Sequence, residues 1–355
     1  MLTFPVGDPI DVNQLIRDNP HYMSVRGGEH VLKEIYIPYS HAFFHTTHQA
    51  IDEFKPVALV SHVVCFGAIW AARQKDLPVV GIHMAPTTML NDDSFDAYGV
   101  SMRLLCRLVI PCAVKIANHW IRTTCQELGV PWEKNTFMRT MNQHDLFLGL
   151  WSPTFADFSS FDGRDKVLCG FTFLESPNDA LPEELDSFLD QGDPPIAFAL
   201  GSSAVNVANT FYQTAIHTCR SLDERALLIG ADPCAIDMAC SNIYAIPYIN
   251  YAQVLPQCSA FVHHGGIGTT AEGLRAGIPA IVMPFGHDQF DNAQRLKVLG
   301  IGQKVSRKKL TRQLAPAIEA ILNPKIVERA RRLGLQVQQE PDGAEVAVRA
   351  IQQFV

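Results

Sequence analysis

Seven short apolar runs limit what this chain can fold into. They are PVALVS (56–61), PVVGIH (78–83), LFLGL (146–150), IAFALG (196–201), RALLIG (225–230), AFVH (260–263) and AIVMPF (280–285). Each is too short for a buried helix and lacks the polar alternation of a strand with one wet face. Continuous Val/Ile/Leu runs separated by helix-patterned stretches read as parallel strands covered on both faces. The fold class expected is α/β, with doubly wound, Rossmann-like sheets that take ligands at the carboxyl ends of their strands.

Length places more than one such sheet in the chain, because 355 residues exceed the usual size of a single core. The segment 173–195 carries seven acidic residues, four prolines and no basic residue, and reads as a solvated linker with one short helix. The expected organisation is an N-terminal domain over 1–172, the linker over 173–195, a second domain over 196–335 and a C-terminal helical segment over 336–355. The helix of that last segment, near 343–354, should dock on a domain surface. Two such domains would face each other across a cleft.

A formal charge of −7 argues against a nucleic-acid partner, since phosphate-backbone binding needs a basic surface. The nine cysteines include no C-x-x-C pair and fit reduced, buried thiols better than a disulfide framework or a zinc site. The N-terminal stretch MLTFPVGDPIDVNQ has neither a basic n-region nor an apolar h-region, so no signal peptide is visible and a cytoplasmic location is expected. Residues 56–72 are apolar but broken by Ser61, His62 and Gly67, too short and polar to cross a bilayer. Residues 101–126 are apolar with four basic residues and no acid. They fit packed helices with basic edges, the favoured reading, or a helix lying on a membrane surface or receiving a lipid.

The sequence HHGGIGTT (263–270) joins the AFV run to a helix-patterned stretch, TTAEGLRA. A helix that starts at a strand end offers free N–H groups and the positive end of its dipole to an anion. Glycines at 265, 266 and 268 let the backbone approach closely and reach positive φ. Thr269 can cap the helix or give its hydroxyl to the anion, and Gly277 with Pro279 ends the helix. Phosphate binding is favoured over a purely structural turn. A metal shared by His263 and His264 is disfavoured, because adjacent strand residues point to opposite faces and no further ligands lie nearby.

Three spaced motifs then come into view: H-x-G-x-G-T-x-x-E (His264, Gly266, Gly268, Thr269, Glu272), G-x-P (Gly277, Pro279) and P-x-x-x-D-Q (Pro284, Asp288, Gln289). Together they resemble the donor signature of inverting nucleotide-sugar glycosyltransferases with the two-domain GT-B fold. The likeness is to rhamnolipid-type rhamnosyltransferases and sterol or macrolide glucosyltransferases. It extends through SHVVCFGAIWAA, the loop at 201–203, PYINYAQVLP (247–256) and the block 261–293.

The resemblance implies a donor-binding C-terminal domain, an acceptor-side N-terminal domain and transfer of a hexosyl group from a UDP- or dTDP-sugar. The acceptor would be a hydroxyl of a small lipophilic molecule, and the anomeric centre would invert. No cofactor and no metal are implied, in keeping with the absence of a D-x-D motif. It makes His264 a donor to a phosphate oxygen, with Gly266, Gly268 and Thr269 completing a cradle. Glu272 would accept from the ribose hydroxyls, a carboxylate being suited to a diol, where its ordinary reading is a surface helix residue. Asp288 and Gln289 would grip sugar hydroxyls, or Asp288 caps the following helix, or both. Tyr248 would stack on the base and the Ile249 backbone read its edge, unless Tyr248 is ordinary core. Ser202 would face the phosphates from the opposite side, or is a plain turn serine.

The chain departs from that family at the general base, which relatives carry on a G-x-x-G-H-x-x-P-type loop after the first strand; no such stretch occurs here. PVALVS resembles the fourth strand of the N-terminal domain, so the first strands are expected upstream of Met1, with nucleotide binding retained and transfer weak. His62 lies roughly where plant-type relatives place an Asp that orients the base. It is the one substitute for the base, against the plain reading of a buried, hydrogen-bonded histidine. A catalytically idle nucleotide-sugar-binding or partner protein is the alternative, and a sugar-nucleotide epimerase fits the motifs less well.

Overall fold

A computed structural model describes residues 3–24, 26–89, 97–142, 144–157, 165–174, 180–201, 208–233 and 242–355. Two compact units emerge. The first comprises Met1–Ile10, Arg26–Thr172 and Pro341–Val355; the second comprises Asp11–Val25 and Phe173–Glu340. The helices in chain order are α1 (Val12–Asp18), α2 (Gly27–Val31), α3 (Ile37–Phe54), α4 (Phe66–Gln74), α5 (Val100–Glu127), α6 (Thr136–Asn142) and α7 (Glu183–Asp190). They continue as α8 (Ala208–Leu222), α9 (Tyr251–Val254), α10 (Ile267–Ala276), α11 (Gln289–Val298), α12 (Leu310–Ile321), α13 (Pro324–Gln339) and α14 (Gly343–Phe354).

The first unit holds a parallel sheet ordered β1 (Leu59–His62), β2 (Val79–His83), β3 (Leu146–Gly149), β4 (Lys166–Leu168). β1 is an edge strand, and its Val60 is 44% exposed. On one face, α14 lays Val346, Ala347, Ala350 and Ile351 against Val80, Leu146 and Leu148. The chain end therefore returns to the first unit, while α13 before it belongs to the second.

The second unit is built on six parallel strands: β5 (Ile196–Ala199), β6 (Ala226–Ile229), β7 (Ile243–Ile246), β8 (Ala260–His263), β9 (Ala280–Val282) and β10 (Gly302–Lys304), ordered β10-β9-β8-β5-β6-β7. Successive residues serve opposite faces, and both faces are dry. Ile196, Phe198, Leu228 and Val262 enter one core with Phe211 of α8 and Leu314 of α12. Ala197, Ala199, Leu227 and Phe261 enter another with Leu185 and Phe188 of α7. This two-sided burial is why the strand runs contain no polar alternation.

Two expectations change at this level. The acidic stretch is no free linker where it is described: α7 buries Leu185, Phe188 and Leu189 in the second unit's core and turns Glu183, Glu184 and Asp186 outward. Its amphipathic spacing outweighs its acidity. The basic stretch 101–126 forms α5, whose second half is packed through Ala117, Ile121 and Cys125. Its first half is not: Leu104, Leu105, Leu108 and Val109 are each more than half exposed.

Candidate functional site

The chain order of β5 to β10 reverses direction between β5 and its neighbour β8, so the carboxyl ends of these two strands open a crevice. HHGGIG leaves β8 at that point and Gly201 follows β5. The Gly201 N–H donates to His264 Nδ1 at 3.1 Å. With Nδ1 accepting, the proton of the neutral ring sits on Nε2. Burial pushes the His264 imidazole down to about 4, so the ring is neutral at physiological pH and presents Nε2–H as a donor.

Two glycines make room for that ring. A Cβ on Gly201 would lie 2.6 Å from His264 Cε1, and one on Gly266 would lie 2.6 Å from Nε2. Nε2–H is therefore directed at the start of α10, where Gly266 occupies the N-cap position. The first backbone bond of the helix runs from Thr270 N–H to the Gly266 carbonyl at 2.9 Å. The N–H groups of Gly268 and Thr269 precede it and have no intrahelical acceptor. Gly268 has open space around it. His264 Nε2–H and these two N–H groups are donors gathered at the turn from β8 into α10, an arrangement that suits an anion.

Three details of the loop differ from the sequence reading. Of Gly265, Gly266 and Gly268, only Gly265 has positive φ, at 92°. The helix starts at Ile267, two residues before Thr269, so Thr269 lies in the first turn and makes no cap hydrogen bond. His263 faces away: it is fully buried, accepts from Gly265 N–H at 3.1 Å and stacks on Phe261. Its ring centroid is 6.4 Å from that of His264 at 88°.

Glu272 is four residues after Gly268 and therefore on nearly the same face of α10. Its Oε2 accepts from Arg275 Nη2 at 2.9 Å, with both side chains more than four-fifths buried. The Arg275 guanidinium in turn lies 3.9 Å over the Phe173 ring. Glu272 is thus a positioned carboxylate rather than a solvated surface group.

Asp288 stands at the N-cap of α11 but caps nothing with its side chain. Its Oδ2 accepts from Asn292 Nδ2 at 2.8 Å, and the same amide donates to the Gly265 carbonyl at 2.9 Å. Burial raises the Asp288 carboxyl, opposed by the Asn292 bond and by the Ile267 N–H. Gln289 spends its Oε1 on the Phe285 N–H, 2.8 Å away, which leaves its Nε2 for any ligand. Asn292 escaped the sequence reading, although its four-residue spacing from Asp288 was visible. The Gly201–His264 bond joins residues 63 apart and left no sequence signal.

Tyr248 is 82% exposed at the carboxyl end of β7 and is no core residue, while Ile249 is half-buried against the α7 side of the sheet. β7 lies three strands from β8, roughly 14 Å at the usual strand spacing. Tyr251 links the two regions. Burial, then Tyr212, Glu272 and Tyr248, push its hydroxyl up to about 12. Ser202 lies outside the described residues.

His62 belongs to the first unit, at the end of β1. Burial lowers its pKa, and its Nδ1 accepts from Val64 N–H at 3.3 Å. That bond places the proton on Nε2, so the ring offers a donor and no lone pair. A general base needs the reverse.

Residues 231–353 match the family described as Erythromycin biosynthesis protein CIII-like, C-terminal domain. The chain is 33% identical over 175 residues to O-mycaminosyltylonolide 6-deoxyallosyltransferase of Streptomyces fradiae, covering 48% of this chain and 41% of that protein. It is 24% identical over 328 residues to a sterol 3-beta-glucosyltransferase of Arabidopsis thaliana, covering 85% of this chain and 51% of the relative. The chain thus spans about half or less of these relatives. Among solved structures, the glycosyltransferase of kitacinnamycin superposes with a TM-score of 0.70 at 17% identity, over 99% of this chain and 86% of that one. CalG4, the calicheamicin glycosyltransferase, gives 0.69 at 18% identity, over 93% and 83%. Spinosyn rhamnosyltransferase SpnG complexed with thymidine diphosphate gives 0.63 at 18%, over 96% and 84%.

Proposed function

We propose that this chain, a protein of GT-B fold with an EryCIII-like C-terminal domain, takes part in transferring a hexosyl group from a nucleoside-diphosphate sugar to a hydroxyl of a small lipophilic acceptor. The observation that carries the reading is the Gly201–His264 bond, which leaves Nε2–H as a donor beside the start of α10 and its Gly268 and Thr269 N–H groups. A diphosphate seated there leaves Glu272 on the ribose side and Tyr248 on the base side. Asp288 and the Gln289 amide face the sugar.

Attack by an acceptor hydroxyl on the anomeric carbon forms the glycosidic bond, breaks the bond to the diphosphate, inverts the centre and releases the hydroxyl proton to solvent water. The developing charge on the leaving phosphate falls on preorganised N–H donors in a buried site, where such dipoles act most strongly. These donors serve in place of a divalent metal, so binding should survive a chelator. The UDP- and dTDP-linked sugars are the donor classes proposed, with reaction in the cytoplasm.

Calorimetric titration with UDP and dTDP in the presence of EDTA tests the site, with uridine and thymidine as controls. Tighter binding of the diphosphates than of the nucleosides is expected. Equal affinity for nucleoside and diphosphate overturns it. For transfer, the anomeric configuration of the product by NMR decides inversion.

A further inference from the structure

The first half of α5 presents an apolar face that none of the described residues covers. Val100 is 77% exposed, Leu108 is 72%, and Leu104, Leu105, Val109 and Ile116 are each more than half exposed. At 100° per residue, Val100, Leu104 and Leu108 advance by 40° each, and Leu105, Val109 and Ile116 continue the same side. They form one broad stripe about four turns long.

The charge along this helix runs against that of the whole protein. Arg103, Arg107, Lys115 and Arg122 are its only fully charged residues before Glu127, while the chain carries −7 overall. By the same angular count Arg103 and Arg107 lie along one edge of the apolar stripe, and Lys115 is exposed within it.

The second half of α5 is fixed. Asn118 holds it through three hydrogen bonds: Nδ2 to the Glu133 carbonyl at 2.9 Å, Oδ1 from the Phe137 N–H at 2.8 Å and its own carbonyl from Trp132 Nε1 at 2.8 Å. Ile121 and Cys125 are completely buried beside it. Arg103–Glu127 is long and apolar enough to cross a membrane, yet Ala117, Asn118, Ile121 and Cys125 tie its C-terminal part to the protein core. A helix held in this way is better placed to lie on a bilayer than to pass through it.

We propose that residues 100–116 of α5 dock on an anionic lipid bilayer, with the Val100–Leu104–Leu108 stripe entering the acyl boundary and the flanking cations meeting the headgroups. An apolar stripe edged by basic side chains has the composition of an interfacial helix, and cations without intervening acids are drawn to anionic lipid. A second copy of the chain is disfavoured as the occupant, because like faces would bring the cations of α5 together. This inference is independent of the transfer reading, since it places no residue of α5 in the nucleotide site.

Co-sedimentation of the full chain with extruded vesicles tests it, using phosphatidylcholine alone and an equal mixture with phosphatidylglycerol. Preferential binding to the mixed vesicles, weakened by added salt, is expected. The double variant Leu104→Asp, Leu108→Asp should reduce binding about tenfold or more, and Arg107→Glu with Lys115→Glu should remove the preference for anionic lipid. Melting temperature and UDP affinity should not move in either variant, which separates lost docking from lost folding. Absence of vesicle binding overturns the proposal, as does binding that both variants retain. Sedimentation velocity showing a dimer that Leu108→Asp dissolves, without vesicle binding, would assign the face to a second copy and overturn it too.

Discussion

Replacing His264 separates its two nitrogen functions. Nδ1 holds the Gly201 N–H at 3.1 Å, joining the ends of β5 and β8; Nε2–H is aimed at the start of α10. His264→Ala removes both. Loss of the Gly201 partner leaves a partly buried N–H unsatisfied, at about 1 kcal/mol of stability. Loss of Nε2–H removes one hydrogen bond to a charged group, at about 1.5–3 kcal/mol of diphosphate binding, or roughly 10- to 150-fold in Kd. His264→Asn puts an amide oxygen near the Nδ1 position, so it should keep most of the stability and still lose the diphosphate affinity. His264→Gln extends an amide donor toward the Nε2 position and should recover part of that affinity. Calorimetry with UDP and uridine, beside thermal melts, reads both effects. The expected pattern is a loss for UDP, little change for uridine, and near-native melting for the Asn variant. If UDP and uridine weaken equally in a variant that melts normally, His264 does not contact phosphate and the cradle is misassigned.

Three further outcomes follow from neighbouring residues. Glu272→Ala should weaken UDP more than dTDP, which lacks the 2′-hydroxyl, and leave inorganic diphosphate unchanged; calorimetry showing no change for either nucleotide would return Glu272 to a purely structural pair with Arg275. Asn292→Ala removes the amide bridging Gly265 and Asp288, and should cost about 1–3 kcal/mol in denaturant unfolding, with diphosphate affinity falling alongside. Burial depresses His264 to about 4 and His263 to about 3, so the unfolded chain binds more protons once the pH falls below about 6.5. The stability their neutral forms contribute is complete above that pH and disappears as pH drops through 4 and then 3, about 3 kcal/mol for His264 alone. Urea titrations between pH 7 and pH 4 check this, and a flat profile would contradict the burial of the two rings.

The sequence alone determined the strands buried on both faces and singled out the residues of the turn from β8 into α10. β2, β3, β5, β6, β8 and β9 all lie in apolar runs read directly, because a strand covered on both sides carries its environment in every residue; the edge strand β1 was read from its run as well, although Val60 is 44% exposed. The strands it did not reveal, β4, β7 and β10, are the other three sheet edges. An edge is defined by its neighbour, and three residues such as Gly302–Lys304 hold no periodic signal. Likewise the H-x-G-x-G-T-x-x-E spacing singled out His264 and Glu272, but only the fold showed which nitrogen of His264 is free to donate. That choice depends on Gly201, 63 residues away on another strand. Composition also suggested that α5 is packed and that 173–195 is solvated. Tertiary structure reversed half of the first, since apolar content does not say whether a neighbour exists to cover it. It reversed the described part of the second, since three well-spaced apolar residues in α7 suffice to seat an acidic helix on a core. The tautomer of His62, likewise invisible in sequence, is set by a backbone N–H two residues away.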